Sequence, residues 1–266
     1  FLNMQEFLSQ TSSMDEMLRL VKKSVLWDLF FEYPDINYFD KENFSRAMQD
    51  VYQQTKCPFV IIIDEWDCIF REYRENHEAQ EQYLDFLRDF LKDKAYIHLA
   101  YMTGILPIKK YGTHSALNMF DEFSMTNPGP LAEFVGFTEE EVFNSLDEQG
   151  LSDKKDIVKT WYDGFTFGDK KDIYNPWSII NFLKFKSLKT YWADSSSNGL
   201  INSLVQKGSP YIKTMIENLI SGEKINVIVD EQIVFSELDY SEDAVWSLML
   251  ASGYLKVVSA EPLVGN

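Results

Sequence analysis

The chain has 266 residues, of which 45% are hydrophobic, and it carries a formal net charge of −17 at pH 7. This length and apolar fraction suffice for one large domain or two modest ones, whereas no apolar run approaches the roughly 20 residues that span a bilayer. The acidic balance disfavours broad non-specific binding of nucleic acid, because a polyanion needs a basic surface, although it leaves room for a local basic patch.

The cysteines and histidines indicate no metal or disulfide framework. Cys57 and Cys68 have no neighbouring histidine, and the three histidines of the chain are scattered. Reduced thiols in a cytosolic protein are therefore expected, and the absence of a signal-peptide pattern agrees with a cytoplasmic location.

The first part of the chain alternates predicted strands and helices. Residues 1–4 resemble the end of a strand, and Ser13 with Glu16 forms a predicted capping box for a helix. A second helix is predicted around 44–51 from the spacing of its apolar residues. Phe59 to Ile63 then forms an unbroken apolar run, which predicts a strand of a parallel sheet, buried on both faces.

Acidic residues follow this strand directly. Asp64, Glu65 and Asp67 stand where an open α/β sheet binds its ligands, at the carboxyl end of a strand. An Asp there can hold Mg²⁺, and the adjacent Glu can orient or deprotonate a water, as in the Walker B arrangement of P-loop ATPases. The structural alternative is a buried strand that leads into a solvated acidic turn.

Two further strands are predicted. One covers 95–101 and is followed by Thr103, whose hydroxyl either contacts a phosphate or its attacking water, or caps the strand end. The other covers 120–125 and ends at a Pro/Gly-rich stretch.

After residue 127 the pattern becomes mostly helical. Thr138 and Glu141 form a helix start with a capping box, and Pro176 stands at the first position of another helix. Residues 243–258 have the order helix–turn–strand, which suits a lid or winged-helix-like module. We therefore predict two regions, an α/β region over 1–127 and a mostly helical region over 128–266.

Several segments in order resemble the AAA-ATPase-like family of bacterial proteins, which often carry a C-terminal PD-(D/E)xK nuclease-like domain. The matching segments are residues 62–67 (IIDEWD), 101–106 (YMTGIL), 136–142 (GFTEEEV), 161–165 (WYDGF), 174–178 (YNPWS), 191–192 (YW) and 252–255 (SGYL). The resemblance covers almost the whole chain.

The resemblance implies a P-loop-NTPase-like α/β core that uses ATP and Mg²⁺. In that core Asp64 would be the Mg²⁺-associated acid, Glu65 the acid that activates water, and Thr103 a sensor-like group near the nucleotide. Asp67 is expected to stabilise the turn. The implied function is an ATPase module that regulates an attached nuclease-like domain. Nucleic acid would be bound by a domain outside this sequence. The protein could also form oligomers.

One departure from the family is large. No G-x-x-x-x-G-K-[ST] motif occurs, and the twelve glycines never cluster, so the phosphate-binding loop and its Lys are missing. We expect an internal fragment that is inactive by itself. The family would place the missing strand between 96–101 and 120–125, so we expect this slot to be filled by residues outside the numbering or by another chain, or the sheet to be closed in another order.

Two alternatives from other classes stay open at this point. A non-enzymatic interaction scaffold could be built on a degenerate nucleotide-binding fold. Alternatively, Asp64, Glu65 and Asp67 could form the metal site of a hydrolase. The sequence upstream of Phe1 would discriminate between the ATPase and the scaffold.

Overall fold

The computed structural model describes residues 1–105, 117–192, 206, 208–230 and 241–261. The chain divides into two compact units, one made of Phe1–Asp121 with Gln232–Asp239 and the other of Glu122–Glu231 with Tyr240–Asn266. The prediction of a mixed α/β protein with a parallel sheet is confirmed. The functional division at residue 127 stays a prediction.

The first unit contains a three-stranded parallel sheet in the order β1-β2-β3. Its elements follow the chain as β1 (Leu2–Asn3), α1 (Met4–Ser9), α2 (Met14–Glu32), α3 (Phe44–Thr55), β2 (Phe59–Asp64), α4 (Cys68–Glu72), α5 (His77–Leu91) and β3 (Ile97–Met102). The strands and helices predicted up to residue 102 are therefore present, with small differences at their ends.

Short polar side chains start the helices of this unit. The side chains of Asn3, Ser13, Asn43 and Asn76 each accept a hydrogen bond from a backbone N–H of the first turn. The predicted capping box at Ser13 is only half correct. Ser13 caps the helix, but the Glu16 carboxylate accepts from Ser12 instead of Ser13.

The sheet of the first unit is covered on one face. In β2, Ile63 is fully buried, whereas Val60 is 53% exposed and Ile62 37% exposed. The neighbouring strand repeats this pattern, with Leu99 54% and Tyr101 42% exposed. The prediction that β2 is buried on both faces is thus wrong for the described residues, because the apolar run alone cannot tell a covered face from an open one.

Residues 120–125 do not form the predicted third strand. Their backbone bonds close a local turn, in which Ser124 N–H donates to the Asn127 carbonyl, and the Met125 carbonyl accepts from Gly168 N–H. Phe123 is 46% exposed, so this apolar residue does not belong to the core. The predicted slot next to this strand therefore does not exist in the described structure, and β3 is an edge strand there.

The second unit combines helices with an antiparallel sheet in the order β4-β6-β5. Its elements are β4 (Phe137–Thr138), α6 (Glu139–Glu148), α7 (Lys155–Tyr162), β5 (Asp163–Phe167), β6 (Lys170–Tyr174), α8 (Pro176–Phe185), α9 (Pro210–Ile220) and α10 (Glu242–Ala251), with short 3₁₀ turns at Gly129–Leu131 and Ser152–Lys154. Its core is formed by buried side chains that include Val142, Leu146, Val158, Tyr174, Ile179 and Phe182.

The helix starts predicted for this unit are correct, but its antiparallel sheet was not predicted. Thr138 and Glu141 form the complete capping box, and Asn175 caps the helix that Pro176 begins. The strand predicted at 254–258 is wrong, because this segment has no strand structure and Tyr254 N–H instead donates to the Met249 carbonyl at the end of α10. The mostly helical region is therefore a mixed one.

Two further expectations concern the whole described chain. Cys57 is a free exposed thiol and Cys68 a free buried one, whose pKa burial raises to about 12. Within the described ranges, no helix combines the length and the apolar character that a membrane crossing requires.

Candidate functional site

Asp64 and Thr103 meet where two neighbouring parallel strands end. β2 ends at Asp64 and β3 at Met102, and the pairing continues past the strands. Thr103 N–H donates to the Ile63 carbonyl at 2.9 Å, and Trp66 N–H donates to the Thr103 carbonyl at 3.0 Å. These bonds hold the two side chains side by side, and the Thr103 hydroxyl donates to Oδ1 of Asp64.

Among the described residues, the hydrogen bonds to the Asp64 carboxylate go to one of its two oxygens. Oδ1 accepts from Thr103 Oγ1 and, at 3.0 Å, from the backbone N–H of Glu65. Both of these bonds go to the same oxygen, so Oδ2 is the atom that can face a water or an ion. One carboxylate oxygen on a partly exposed strand end fits Mg²⁺ bound through its waters, since this ion keeps several waters in proteins.

Glu65 is paired with a cation. Its backbone is left-handed, with φ of +55°, which turns the side chain away from the strand direction. The Arg71 guanidinium on α4 donates to Oε2 of Glu65 and also contacts Gln5 at 3.4 Å. Burial lowers the Arg71 pKa, but the nearby Asp67 and Glu65 charges outweigh it and the pKa is raised. In this arrangement Arg71 occupies one oxygen of the Glu65 carboxylate.

Asp67 has a structural position. Its side chain is completely buried, and Oδ2 accepts from Ile105 N–H at 3.0 Å. A Cβ added at Gly104 would lie 2.9 Å from Oδ1 of Asp67 and 2.6 Å from the Trp66 ring, so only glycine allows this close approach. Asp67 therefore ties the segment after β3 to the start of α4, as the sequence predicted for a turn-stabilising residue.

A buried tyrosine stabilises the turn that follows β2. Tyr83 on α5 donates its hydroxyl to the Trp66 carbonyl at 2.8 Å, and its burial raises its pKa well above the usual value. Neither Tyr83 nor Arg71 was recognised in the sequence. Tyr83 stands among the apolar residues of α5 and Arg71 in a charged stretch, so only the tertiary contacts identify them.

The metal-hydrolase alternative finds no support at this site. Among the residues that the structure describes, no group of three or more His, Cys, Asp or Glu side chains is arranged to hold a metal ion. Asp64 bonds to Thr103, Glu65 pairs with Arg71, and Asp67 points to Ile105. In the described structure the three carboxylates therefore have different protein partners.

Comparison with known proteins places the site inside a family segment. Residues 2–113 match the model of the AAA-ATPase-like family, which is described as predicted AAA-ATPase. The match includes Asp64, Glu65 and Thr103, so the resemblance predicted from the sequence is confirmed for this segment. No curated protein and no solved structure matches the chain.

Proposed function

We propose that this chain, whose residues 2–113 match the AAA-ATPase-like family, supplies the Walker B and sensor part of an ATP-hydrolysing module. The observation that carries the proposal is the bond between Asp64 and Thr103 across the ends of adjacent parallel strands. An acid and a hydroxyl held together there suit a nucleotide phosphate and its Mg²⁺, because ligands of open α/β sheets bind at this edge.

In this proposal each side chain has one task. Asp64 would hold Mg²⁺ through its waters, and Thr103 fixes the orientation of Asp64 by donating to Oδ1. Glu65 accepts a proton from the attacking water once its carboxylate has left Arg71. Bound Mg²⁺ would neutralise charge on the phosphates.

The free edge and the exposed face of the sheet could accept the phosphate-loop segment that this sequence lacks. β3 is an edge strand in the described structure, and Leu99, Tyr101, Val60 and Ile62 leave an apolar sheet face exposed. An added strand could pair with β3 and its helix could cover that face. We therefore propose a P-loop-NTPase-like sheet that is completed by a phosphate-loop segment from chain outside this sequence or from another chain.

The second unit would then act as the lid or winged-helix-like region of the module. We propose further that the complete ATPase is cytoplasmic and regulates an attached nuclease-like domain, in line with the sequence resemblance. The bond of Glu65 to Arg71 is the one feature that favours the alternative of a non-enzymatic scaffold, since it occupies the acid that hydrolysis needs.

Substitution of Glu65 tests the proposal in the full-length protein. Glu65→Gln should abolish ATP turnover while leaving ATP bound, because glutamine keeps the shape but cannot accept the proton of the water. Glu72→Gln, at an exposed glutamate on the neighbouring α4, is the matched control and should hydrolyse ATP normally. Parental turnover in Glu65→Gln would remove Glu65 from the mechanism, and a wild-type protein without turnover would favour the scaffold.

A further inference from the structure

A basic and aromatic groove lies beside α2, and none of its lining residues belongs to the site at Asp64. It is a cavity of about 860 Å³ in the first unit, and its cationic lining residues are Arg19, Lys22, Lys23 and Lys41. The chain has 25 basic and 42 acidic residues, but the groove has four basic residues against two acidic ones, Asp15 and Glu42. The charge balance of the protein is therefore reversed at this surface.

The cations of the groove can contact a ligand, although Arg19 also interacts electrostatically with Glu16 on the same helix. Within the part of the chain that the structure describes, none of the four forms a salt bridge. Lys41 Nζ lies 5.5 Å from the centre of the Phe30 ring, and Lys22 Nζ lies 5.4 Å from that of Phe86. Contacts of this kind hold a lysine near aromatic rings without neutralising its charge.

An exposed tryptophan lies in the same groove. Trp27 is 72% exposed, so its indole ring is accessible to a ligand in the groove. On α2, Arg19, Lys23, Trp27 and Phe30 follow one another at spacings of three or four residues, so they share one face of the helix. Two cations are thus followed by two aromatic rings along one face of the helix.

We propose that this groove binds single-stranded nucleic acid. Its cations would neutralise successive phosphates, and Trp27 would stack on an unpaired base, the combination that single-strand binding surfaces use. A segment with carboxylates alone would satisfy the cations but would offer no ring to stack on the exposed indole. Duplex DNA keeps its bases stacked inside and would likewise leave Trp27 without a partner.

Fluorescence anisotropy with the 266-residue chain tests the assignment. The probes are labelled oligo(dT) and oligo(U) of about 20 nucleotides, longer than the roughly 4–16 nucleotides that one single-strand binding fold covers. Both should bind, and a duplex of the same length should bind at least about tenfold more weakly. If all four cations contact phosphates, the slope of log K against log salt should approach about −3.

Variants separate stacking from charge. Trp27→Ala should weaken binding by roughly tenfold to a hundredfold, and Trp27→Phe should restore most of it, because phenylalanine keeps a stacking ring. The double variant Arg19→Gln with Lys23→Gln should reduce the salt slope by about 1.4. The double variant Lys213→Gln with Lys224→Gln, at two exposed lysines that do not line the groove, is the charge-matched control and should change neither quantity.

Several results would overturn the assignment. They are the absence of oligonucleotide binding at low salt, equal binding of duplex, or binding that Trp27→Ala leaves unchanged. Binding of poly-glutamate in preference to both oligonucleotides would assign the groove to an acidic protein partner instead. Because Trp27 and the substituted cations are exposed, circular dichroism of each variant should match the parent.

Discussion

Arg71 donates to the carboxylate of Glu65, six residues earlier in the chain, and so joins α4 to the residue after β2. The Arg71 side chain is 20% exposed and that of Glu65 39% exposed, so water partly screens the pair. A pair of this exposure contributes no more than about 1 kcal/mol. A pair this weak can hold Glu65 and still give way to the attacking water of the proposed mechanism.

Removal of this restraint should accelerate the full-length ATPase. Arg71→Ala frees Glu65, and loss of up to about 1 kcal/mol of restraint corresponds to an increase in kcat of about two- to fivefold. KM for ATP should not change, because Arg71 contacts Glu65 and Gln5 and no proposed phosphate ligand. Steady-state kinetics measures both constants.

The conservative variant separates restraint from positioning. Arg71→Lys keeps a positive charge beside Glu65 and should retain the parental kcat, and the double variant Arg71→Ala with Glu65→Gln should be inactive. A fall in kcat for Arg71→Ala, restored by Arg71→Lys, would show that Arg71 places Glu65 for catalysis instead of restraining it.

The 266-residue chain alone should bind ATP no more tightly than about 1 mM. The phosphate-loop motif is absent from the sequence, and that loop supplies most backbone N–H contacts to phosphates in this fold class. Asp64 and Glu65 add negative charge next to a polyanion. Isothermal titration with ATP and Mg²⁺ measures this, and micromolar affinity would contradict it. Repeating the titration with Arg19→Gln and Lys23→Gln excludes heat that arises in the α2 groove.

Gly104→Ala should destabilise the first unit by about 1–3 kcal/mol. The added methyl group would lie 2.6 Å from the Trp66 ring, and this ring is 97% buried with no room to move freely. Chemical denaturation followed by tryptophan fluorescence measures the loss. Gly164→Ala is the control, because a Cβ there meets no atom within 4 Å, and a loss of similar size in that variant would contradict the packing explanation.

Asp163→Asn should stabilise the second unit at neutral pH. Burial raises the Asp163 pKa, the neighbouring Asp172 raises it further, and Lys256 at 3.9 Å only partly opposes this. The folded protein therefore holds this proton to a higher pH than the unfolded chain, and the favourable contribution of protonated Asp163 is lost as pH rises through the folded-state pKa. Asparagine carries no charge, so the melting temperature should rise by about 2–4 °C at pH 7.

The pH dependence distinguishes this cause from a change in packing. The gain from Asp163→Asn should shrink as pH falls towards about 4, where unfolded aspartates also become protonated. Asp169→Asn removes an exposed carboxylate from the same β5–β6 hairpin and should have little effect at any pH. A constant gain of Asp163→Asn from pH 4 to pH 7 would contradict the electrostatic explanation.

The sequence by itself determined the features that depend on neighbouring residues. Helix starts at Asn175 and Thr138 were predicted correctly because a cap joins a side chain to a backbone N–H within three residues. β2 was predicted for a similar reason, since a run of β-branched residues favours a strand whatever surrounds it. Where such local signals were weak, as at 120–125 and 254–258, the predicted strands were wrong.

Only the tertiary structure decided which of these residues meet. Asp64 and Thr103 are 39 positions apart, and their contact depends on the parallel register of β2 and β3. The bond between Arg71 and Glu65 depends on the left-handed backbone at Glu65, which no propensity assigns to a glutamate. Whether a sheet face is covered likewise depends on how distant helices pack, so the open face at Val60 and Leu99 could not be read from an apolar run.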